Sequence, residues 1–191
     1  TISSGLSGTY QSASIGKELS EANVTVFDTL AGSLAHGILV IRAAKLAQQG
    51  HTMEEIISQL TEYRKKMNIL VLLDTLENIV KGGRLSKFQG SIAKILNIKV
   101  ILEADNGKVE ILEKIRGKKK FFKRVLEVIH ERESDFSNIT FGITHTGNIE
   151  EAETLKQEII EQFHPKDVII HYMGATMGTY AGKDGLIVSF L

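Results

Sequence analysis

The first twelve residues of the chain combine hydroxyl side chains with glycines, directly before a segment of helical periodicity. Gly5 and Gly8 allow the backbone to turn tightly and to bring its N–H groups close to a ligand. The first amides of a helix have no partner within the helix, and the helix dipole adds positive charge there. These features predict an anion-binding loop, with Ser3 and Ser4 as its hydroxyl donors.

The same loop has two other interpretations. Serines that precede a helix are commonly N-caps, and Ser7 is placed for that role. A nucleophilic Ser4 or Ser7 would instead make the protein a hydrolase or a transferase. Support for a nucleophile is thin, because Ser-Gly-Leu-Ser-Gly is not a Gly-x-Ser-x-Gly elbow and no histidine lies nearby in the sequence to activate a serine.

The start of the chain is unusual for an anion loop of this kind. Such a loop normally follows a strand, but here the chain opens on the loop itself and has no initiator methionine. We therefore expect that the chain is part of a longer protein.

The composition is that of a globular protein without an overall charge preference. Of 191 residues, 42% are hydrophobic, and 23 Lys and Arg balance 23 Asp and Glu. The absence of cysteine excludes disulfides, thiolate zinc sites and cysteine nucleophiles. The six histidines lack metal-ligand spacing, so no metal site is predicted. No apolar run reaches the roughly 18 residues of a membrane span and no signal sequence is visible, so we expect a cytoplasmic protein.

Helices are predicted to dominate residues 1–67. Apolar residues at helical spacing follow the opening loop, a short buried strand is predicted at Val24–Phe27, and an apolar helix covers Gly32–Gln49. Thr52 and Glu55 have the spacing of a capping box, which starts the next helix. A domain boundary is predicted near Met67.

Residues 68–191 are predicted to form a second domain that contains antiparallel sheet. Asn106-Gly107 lies between two apolar runs and indicates a type I′ hairpin. The remaining periodicity predicts a strand at Ile69–Leu73, a helix at Lys119–Glu131, a strand at Ile139–Thr144, a helix opened by Asn148, and strands at Val168–Tyr172 and Leu186–Phe190. The fold class is therefore α/β in the broad sense, with an α+β second part.

Five ordered motifs resemble one family. They are Ser3 to Tyr10, Asp28 to Gly37, Lys81-Gly82-Gly83-Arg84-Leu85-Ser86, Leu96-Asn97-Ile98-Lys99, and Lys114-Ile115-Arg116-Gly117. Together they cover nearly the whole chain, and it resembles the DegV family of fatty-acid-binding proteins, which serve as the B subunit of bacterial fatty acid kinase. The resemblance implies two domains, an incomplete first α/β domain and a second domain on a largely antiparallel six-stranded sheet. It also implies that several dozen residues precede Thr1, and that core residues are exposed where that segment belongs.

The resemblance implies that a long-chain fatty acid lies between the domains, with no other cofactor, and that the protein is a carrier and not an enzyme. The carboxylate of the fatty acid would be held by Ser3 or Ser4, by the Gly5 amide, and by Thr179 and Tyr180. Burying each methylene contributes about 0.8 kcal/mol, so the tail supplies most of the affinity. No nucleotide-binding motif is present, so a partner kinase would phosphorylate the carboxylate, and transient membrane contact is also compatible with this role.

Two arginines are predicted to contact the partner or its phosphate. Arg84 follows the Gly82-Gly83 pair at the domain junction, and its alternative role is that of a solvated turn residue. Arg116 lies in a basic run from Lys114 to Arg124 that contains no acidic residue. A guanidinium can bind a phosphate through two hydrogen bonds. A regulatory or nucleic-acid-binding module that uses this basic run is the competing interpretation. Aromatic residues suited to stacking on bases are scarce, so no nucleic acid partner is predicted.

The chain departs from the family pattern near its C-terminus. The family has a histidine in a Gly-Thr-His segment, whereas this chain has Gly178-Thr179-Tyr180. A phenol donates one hydrogen bond but carries no positive charge near neutral pH. Lys183 and Asp184 also replace the family's proline-glycine turn, and Val100 replaces a proline.

Overall fold

The computed structural model of the protein describes residues 1–85 and 98–191. Ser86, Leu96 and Asn97 of the sequence motifs lie outside these residues. The helices in the described part are α1 Thr9–Glu18, α2 Ser33–Gln48, α3 Met53–Lys66, α4 Glu77–Lys81, α5 Lys118–Arg132, α6 Ile149–Phe163 and α7 Ala175–Ala181. The strands are β1 Asn68–Leu73, β2 Ile98–Asp105, β3 Lys108–Arg116, β4 Thr140–His145, β5 Asp167–Tyr172 and β6 Leu186–Phe190.

The strands form one six-stranded sheet in the order β3-β2-β1-β6-β4-β5. All neighbours are antiparallel except β4 and β5, which are parallel because α6 connects them. This mixed α/β fold with a mostly antiparallel sheet confirms the predicted fold class. Within the described residues every strand lies after Met67, and the first 67 residues add helices and loops; the domain boundary itself stays a prediction.

Alternation along β1 divides the core into two layers, because successive side chains of a strand point to opposite faces. Leu70 and Leu72 pack with α5 and α6, where Phe121 and Leu155 are fully buried. Ile69, Val71 and Leu73 pack on the other face, with residues of α2, α4 and α7 and the loop before α2. The sheet is therefore covered on both faces, and α4, α7 and the opening loop share one of them.

The β2–β3 hairpin forms as the sequence predicts. Asp105 pairs with Lys108, so Asn106 and Gly107 are the two loop residues. Their φ angles are 45° and 77°, the positive values that a type I′ turn requires. The capping box is also confirmed: the Thr52 hydroxyl accepts from the Glu55 amide, and the Glu55 carboxylate accepts from the Thr52 amide.

The predicted strand at Val24–Phe27 is wrong. No strand is present there, and within the described residues the backbone of 24–26 makes no backbone hydrogen bond. The Phe27 carbonyl instead accepts from the N-terminal ammonium of Thr1 at 2.8 Å, and Thr29 N–H donates to the Thr1 carbonyl. An apolar run without a neighbouring strand has no ladder to join, so propensity alone does not make it a strand.

Helix α1 packs on little of the described chain. It contains no buried residue, and Ile15 and Leu19 are 49% and 84% exposed. Its predicted apolar face therefore covers no core among the described residues. Helix α2, for which the apolar residues at 32–49 predict burial on several sides, buries Ile38 and Leu39 but leaves Val40 exposed, so it is amphipathic.

Candidate functional site

Ser3 anchors the opening loop to the β2–β3 hairpin. Its side chain is fully buried, and its hydroxyl donates to the Gly107 carbonyl at 2.6 Å and accepts from the Gly5 amide at 3.1 Å. A methyl group on Gly5 would lie 2.6 Å from the Gly107 oxygen, so only glycine permits this approach. The Ser3 hydroxyl is therefore fully used in joining two distant parts of the chain.

The amides of the loop are not bare, which corrects the prediction from sequence. Ser3 N–H donates to the Ala31 carbonyl at 2.8 Å, and the Leu6 and Ser7 amides both donate to the Ser3 carbonyl at 3.1 Å. A glycine-rich sequence permits such a loop to fold onto itself, and internal acceptors then replace the ligand. The Gly5 amide, predicted to hold a carboxylate, is bound to Ser3 in this structure.

Ser4 differs from Ser3 because its side chain is exposed. Within the described residues nothing hydrogen-bonds its hydroxyl. Its amide donates to both oxygens of the Asp28 carboxylate, at 3.2 and 3.3 Å, and Leu30 N–H donates to the same carboxylate at 3.0 Å. The loop thus binds a carboxylate of its own chain, and Ser4 has the free hydroxyl that Ser3 lacks.

Ser7 is not the N-cap that the sequence suggested. The N-cap of α1 is Gly8, and the Ser7 hydroxyl instead contacts Thr9, accepting from its amide at 3.3 Å and sharing a hydrogen bond with its hydroxyl at 2.7 Å. These contacts satisfy the Ser7 hydroxyl locally and place no base beside it.

Tyr180 and Arg84, predicted for different roles, form one cluster with the opening loop. The Arg84 Cζ lies 5.2 Å from the centroid of the Tyr180 ring. Its Nε donates to the Leu6 carbonyl at 3.1 Å, and its Nη1 donates to the Gly82 carbonyl at 2.7 Å. Arginine thereby links the loop that contains Ser4 to the helix that carries Tyr180.

The hydroxyls of Thr179 and Tyr180 on α7 differ in their hydrogen bonding. Thr179 Oγ1 donates to the Ala175 carbonyl one turn earlier, at 2.9 Å, and its side chain is exposed. The Tyr180 side chain is half-buried, and among the described residues its hydroxyl has no hydrogen-bond partner. Tyr180 is therefore the stronger candidate donor of the two.

Thr146, which the sequence gave no reason to select, holds the turn after α7. Its hydroxyl donates to the Gly182 carbonyl at 2.5 Å and accepts from the Gly185 amide at 2.8 Å. Its own amide donates to the Gly185 carbonyl at 3.0 Å. The only signal was its place just after the strand predicted at Ile139–Thr144, and that position does not indicate a contact with a distant turn.

His145 is buried in the protein, with a ring centroid 4.4 Å from that of Tyr172. Its Nδ1 has no partner in the part of the chain that the structure describes. Burial lowers the pKa of His145, the Glu153 carboxylate opposes this shift, and His171 adds to it. These surroundings favour a neutral imidazole with a structural role.

Arg116 is not brought to the cluster. It pairs with Ile98 at the end of the hairpin opposite to Gly107. Eight residues separate it from Lys108 at the turn, or about 26 Å along a strand. Arg116 and Arg84 therefore lie in different regions of the molecule.

The basic run is partly neutralised by acids that are distant in sequence. Arg124 forms ion pairs with Glu113 and Glu131, at 2.7 and 2.6 Å, and these carboxylates raise its pKa, Glu113 most strongly. Lys118 pairs with Glu151 at 2.5 Å. The run is thus less basic in the fold than in the sequence.

Residues 1–85 and 98–191 contain no group of three or more His, Asp or Glu that could hold a metal ion. None of the helices in those two ranges has the length and apolar character needed to cross a bilayer.

The fold and the cluster define a mixed α/β protein with a candidate polar site between an N-terminal loop and a short helix on one face of the sheet. The chain belongs to the DegV family: the family model described as "Uncharacterised protein, DegV family" matches residues 1–191. A DegV domain-containing protein of Clostridium perfringens is 34% identical over 196 residues, covering 100% of this chain and 67% of that relative.

Solved structures of the family share this fold. One is the crystal structure of DegV, a fatty acid binding protein from Bacillus subtilis, with a TM-score of 0.88 and 32% identity over 99% of this chain and 67% of that one. Another is the Fatty Acid Kinase (Fak) B3 protein of Streptococcus pneumoniae loaded with linoleic acid, with a TM-score of 0.90 and 28% identity over 100% of this chain and 69% of that one. The chain spans about two thirds of the length of these relatives.

Proposed function

We propose that the protein binds a long-chain fatty acid and holds its carboxylate at the cluster of Ser4, Arg84 and Tyr180. The observation that carries the proposal is the link made by Arg84, which contacts the Ser4 loop through Leu6 and lies beside the ring of Tyr180. Two exposed or half-exposed hydroxyls and a guanidinium therefore belong to segments that Arg84 connects, and all three groups can donate to a carboxylate. The similarity to a fatty acid binding protein of Bacillus subtilis and to a Streptococcus pneumoniae protein loaded with linoleic acid supports the same class of ligand.

The acyl chain would extend from this cluster along the face of the sheet that α4 and α7 cover. Leu6, Val80 and Met177 are only partly buried there and pack against the core of that face. Each methylene removed from water contributes about 0.8 kcal/mol, so a tail of 16 or so carbons gives most of the affinity. The polar head then fixes orientation.

The protein would act as a carrier that presents the carboxylate to a partner kinase for acyl phosphate formation. The similarity to the Fatty Acid Kinase B3 protein supports this step. Thr179 would contribute only after leaving its bond to the Ala175 carbonyl, and Arg116 would contact the kinase at a separate surface.

The test is lipid extraction followed by mass spectrometry on the full-length protein purified natively, together with titration of the delipidated protein with oleate and palmitate. We expect a bound fatty acid and saturable binding. Tyr180→Phe removes one donor to a charged group and is expected to weaken oleate binding about tenfold. Absence of both extracted fatty acid and oleate or palmitate binding would overturn the proposal.

Tyr63→Phe is the matched control. Tyr63 also lies under an arginine, with the Arg42 Cζ 4.5 Å from its ring centroid, but on α3. Its substitution is expected to leave oleate affinity unchanged. An equal loss of oleate affinity in both variants would show that Tyr180 is not part of the site. The proposal that the protein binds a fatty acid would not be affected by that result.

A further inference from the structure

Thr146, in the loop between β4 and α6, bonds the turn after α7 through both its hydroxyl and its backbone, and Asn148 of the same loop adds a longer bond of 3.5 Å from its side-chain amide to the Asp184 carbonyl. The hydroxyl donates to Gly182 and accepts from Gly185, while the Thr146 backbone adds a further bond to Gly185. A threonine that both donates and accepts fixes the positions of two peptide groups at once. The turn is thus held from the sheet side.

The turn also lies close to α4. Gly182 has a φ of 75°, a left-handed value that ends α7, and its amide donates to the Gly178 carbonyl at 2.8 Å. A methyl group on Gly182 would lie 2.6 Å from the Asn78 side-chain nitrogen. Little space is left for the end of α7 to move while Thr146 keeps its bonds.

Tyr180 is two residues before this turn, and its ring is wedged against Gly82. Apart from the contact with the Arg84 guanidinium, the ring has no polar anchor, because within the described residues its hydroxyl makes no hydrogen bond. The placement of the hydroxyl therefore depends in part on where α7 ends. A displacement of about 1 Å in a binding group is enough to weaken a directed hydrogen bond substantially.

We infer that Thr146 is a positioning residue for the carboxylate site: it fixes the end of α7 so that the Tyr180 hydroxyl is aimed at the ligand head group. The inference rests on the proposed function and adds to it a residue outside the cluster. Thr146 contacts no ligand in this role and acts only through Tyr180. If Thr146 were only structural, its substitution would affect folding, and the effect would not depend on the presence of the Tyr180 hydroxyl.

A double-mutant cycle on the full-length protein separates the two roles. Oleate affinity is measured for Thr146→Val, Tyr180→Phe and the double variant. Thr146→Val is expected to weaken binding about tenfold when Tyr180 is present, and to have no further effect beside Phe at 180. An equal loss in both backgrounds, or no loss in either, overturns the inference.

Two further variants guard against unfolding as the cause. Thr146→Ser keeps the hydroxyl and is expected to bind oleate like the unsubstituted protein, so weaker binding by this variant contradicts the inference even if Thr146→Val does not fold. Thr61→Val removes a comparable hydroxyl bond, from Thr61 to the Ile57 carbonyl on α3, and is expected to leave affinity unchanged.

Amide hydrogen exchange of the ligand-free protein provides a readout that does not need the fatty acid. Thr146→Val is expected to accelerate exchange in residues 178–185, and Thr146→Ser is not. Unchanged exchange in Thr146→Val overturns the inference. If the unsubstituted protein binds no oleate, the proposed function fails, and accelerated exchange would still show that Thr146 fixes the end of α7.

Discussion

The ring of Tyr180 lies directly against Gly82: a methyl group at Gly82 would place its carbon 2.2 Å from Cε1 of that ring. The Lys81-Gly82-Gly83-Arg84 motif therefore has a structural reason for its first glycine. Gly82 admits the aromatic ring, and Arg84 then lies beside the ring while it bonds the Gly82 carbonyl. The glycine and the arginine act on the same tyrosine.

Gly82→Ala is expected to displace Tyr180 and weaken oleate binding, because the added carbon and the ring cannot occupy the same space. Overpacking of this kind costs about 1–3 kcal/mol of stability. Binding by titration calorimetry and thermal unfolding measure the two effects. Gly174→Ala, at the start of α7 where nothing lies within 4 Å of the new carbon, is the control and is expected to bind normally. Normal binding by Gly82→Ala would show that the ring position is irrelevant.

Substitutions of the two neighbouring serines in the opening loop are expected to affect different properties, stability for Ser3 and oleate affinity for Ser4. Ser3→Ala leaves the Gly107 carbonyl and the Gly5 amide without their buried partner, which lowers the free energy of unfolding by about 1–3 kcal/mol. Ser4→Ala removes an exposed hydroxyl, so stability is expected to change by less than about 0.5 kcal/mol. Oleate affinity is instead expected to fall in Ser4→Ala.

Denaturant unfolding and oleate titration of both variants make this comparison. The same pair of variants decides which serine binds the ligand, a question that the sequence leaves open. Unchanged stability in Ser3→Ala, or unchanged affinity in Ser4→Ala, would contradict the assignment for that residue.

Local signals in the sequence are reliable where the chemistry is local. Asn106-Gly107 forms its hairpin because both positions need positive φ, and Thr52 caps α3 because its partner Glu55 is three residues away. The strand predicted at Val24–Phe27 fails because pairing needs a neighbour that periodicity does not report.

The candidate site shows the same division. The Ser3 hydroxyl bonds a carbonyl 104 residues away, and Thr146 bonds a turn 36 to 39 residues away. No spacing rule predicts either contact, because the topology of the sheet brings them together. The sequence could therefore name Tyr180 and Arg84, but could not show that they touch or that Thr146 bonds the turn after the helix that carries Tyr180.

Tyr180→His restores the residue that the family resemblance implies, and its effect is expected to depend on pH. A histidine beside a carboxylate gains a partner for its charged form, so its pKa in the complex rises above the free value of about 6.5. The added affinity is then fully present below the free pKa and is lost as the pH rises through the pKa of the complex. A phenol has no cationic form and cannot gain affinity in this way.

Oleate titrations of both proteins from pH 6 to 8.5 measure the difference. The ratio of the two affinities is expected to favour the histidine variant at the acidic end. Tyr63→His, on α3, is the control and is expected to follow the unsubstituted protein. Parallel pH profiles for Tyr180→His and the unsubstituted protein would place residue 180 away from the carboxylate.

His145 is expected to make the protein less stable in mild acid. Burial lowers its pKa in the folded state, so below about pH 6.5 the unfolded chain takes up a proton that the folded protein does not. The free energy of unfolding therefore falls as the pH falls through that value. Burial also lowers the pKa of His36, which contributes in the same direction.

Denaturant unfolding from pH 7.5 to 5 provides the measurement. His145→Phe retains a buried aromatic ring without a titrating group. Its stability is expected to decline less steeply with falling pH than that of the unsubstituted protein. Part of the decline remains because His36 is still present. Thr61→Val, which removes no titrating group, is the control and is expected to keep the original slope. A buried neutral imidazole at position 145 must contribute to the loss of stability in acid. If His145→Phe loses stability as steeply as the unsubstituted protein, the acid sensitivity therefore arises elsewhere.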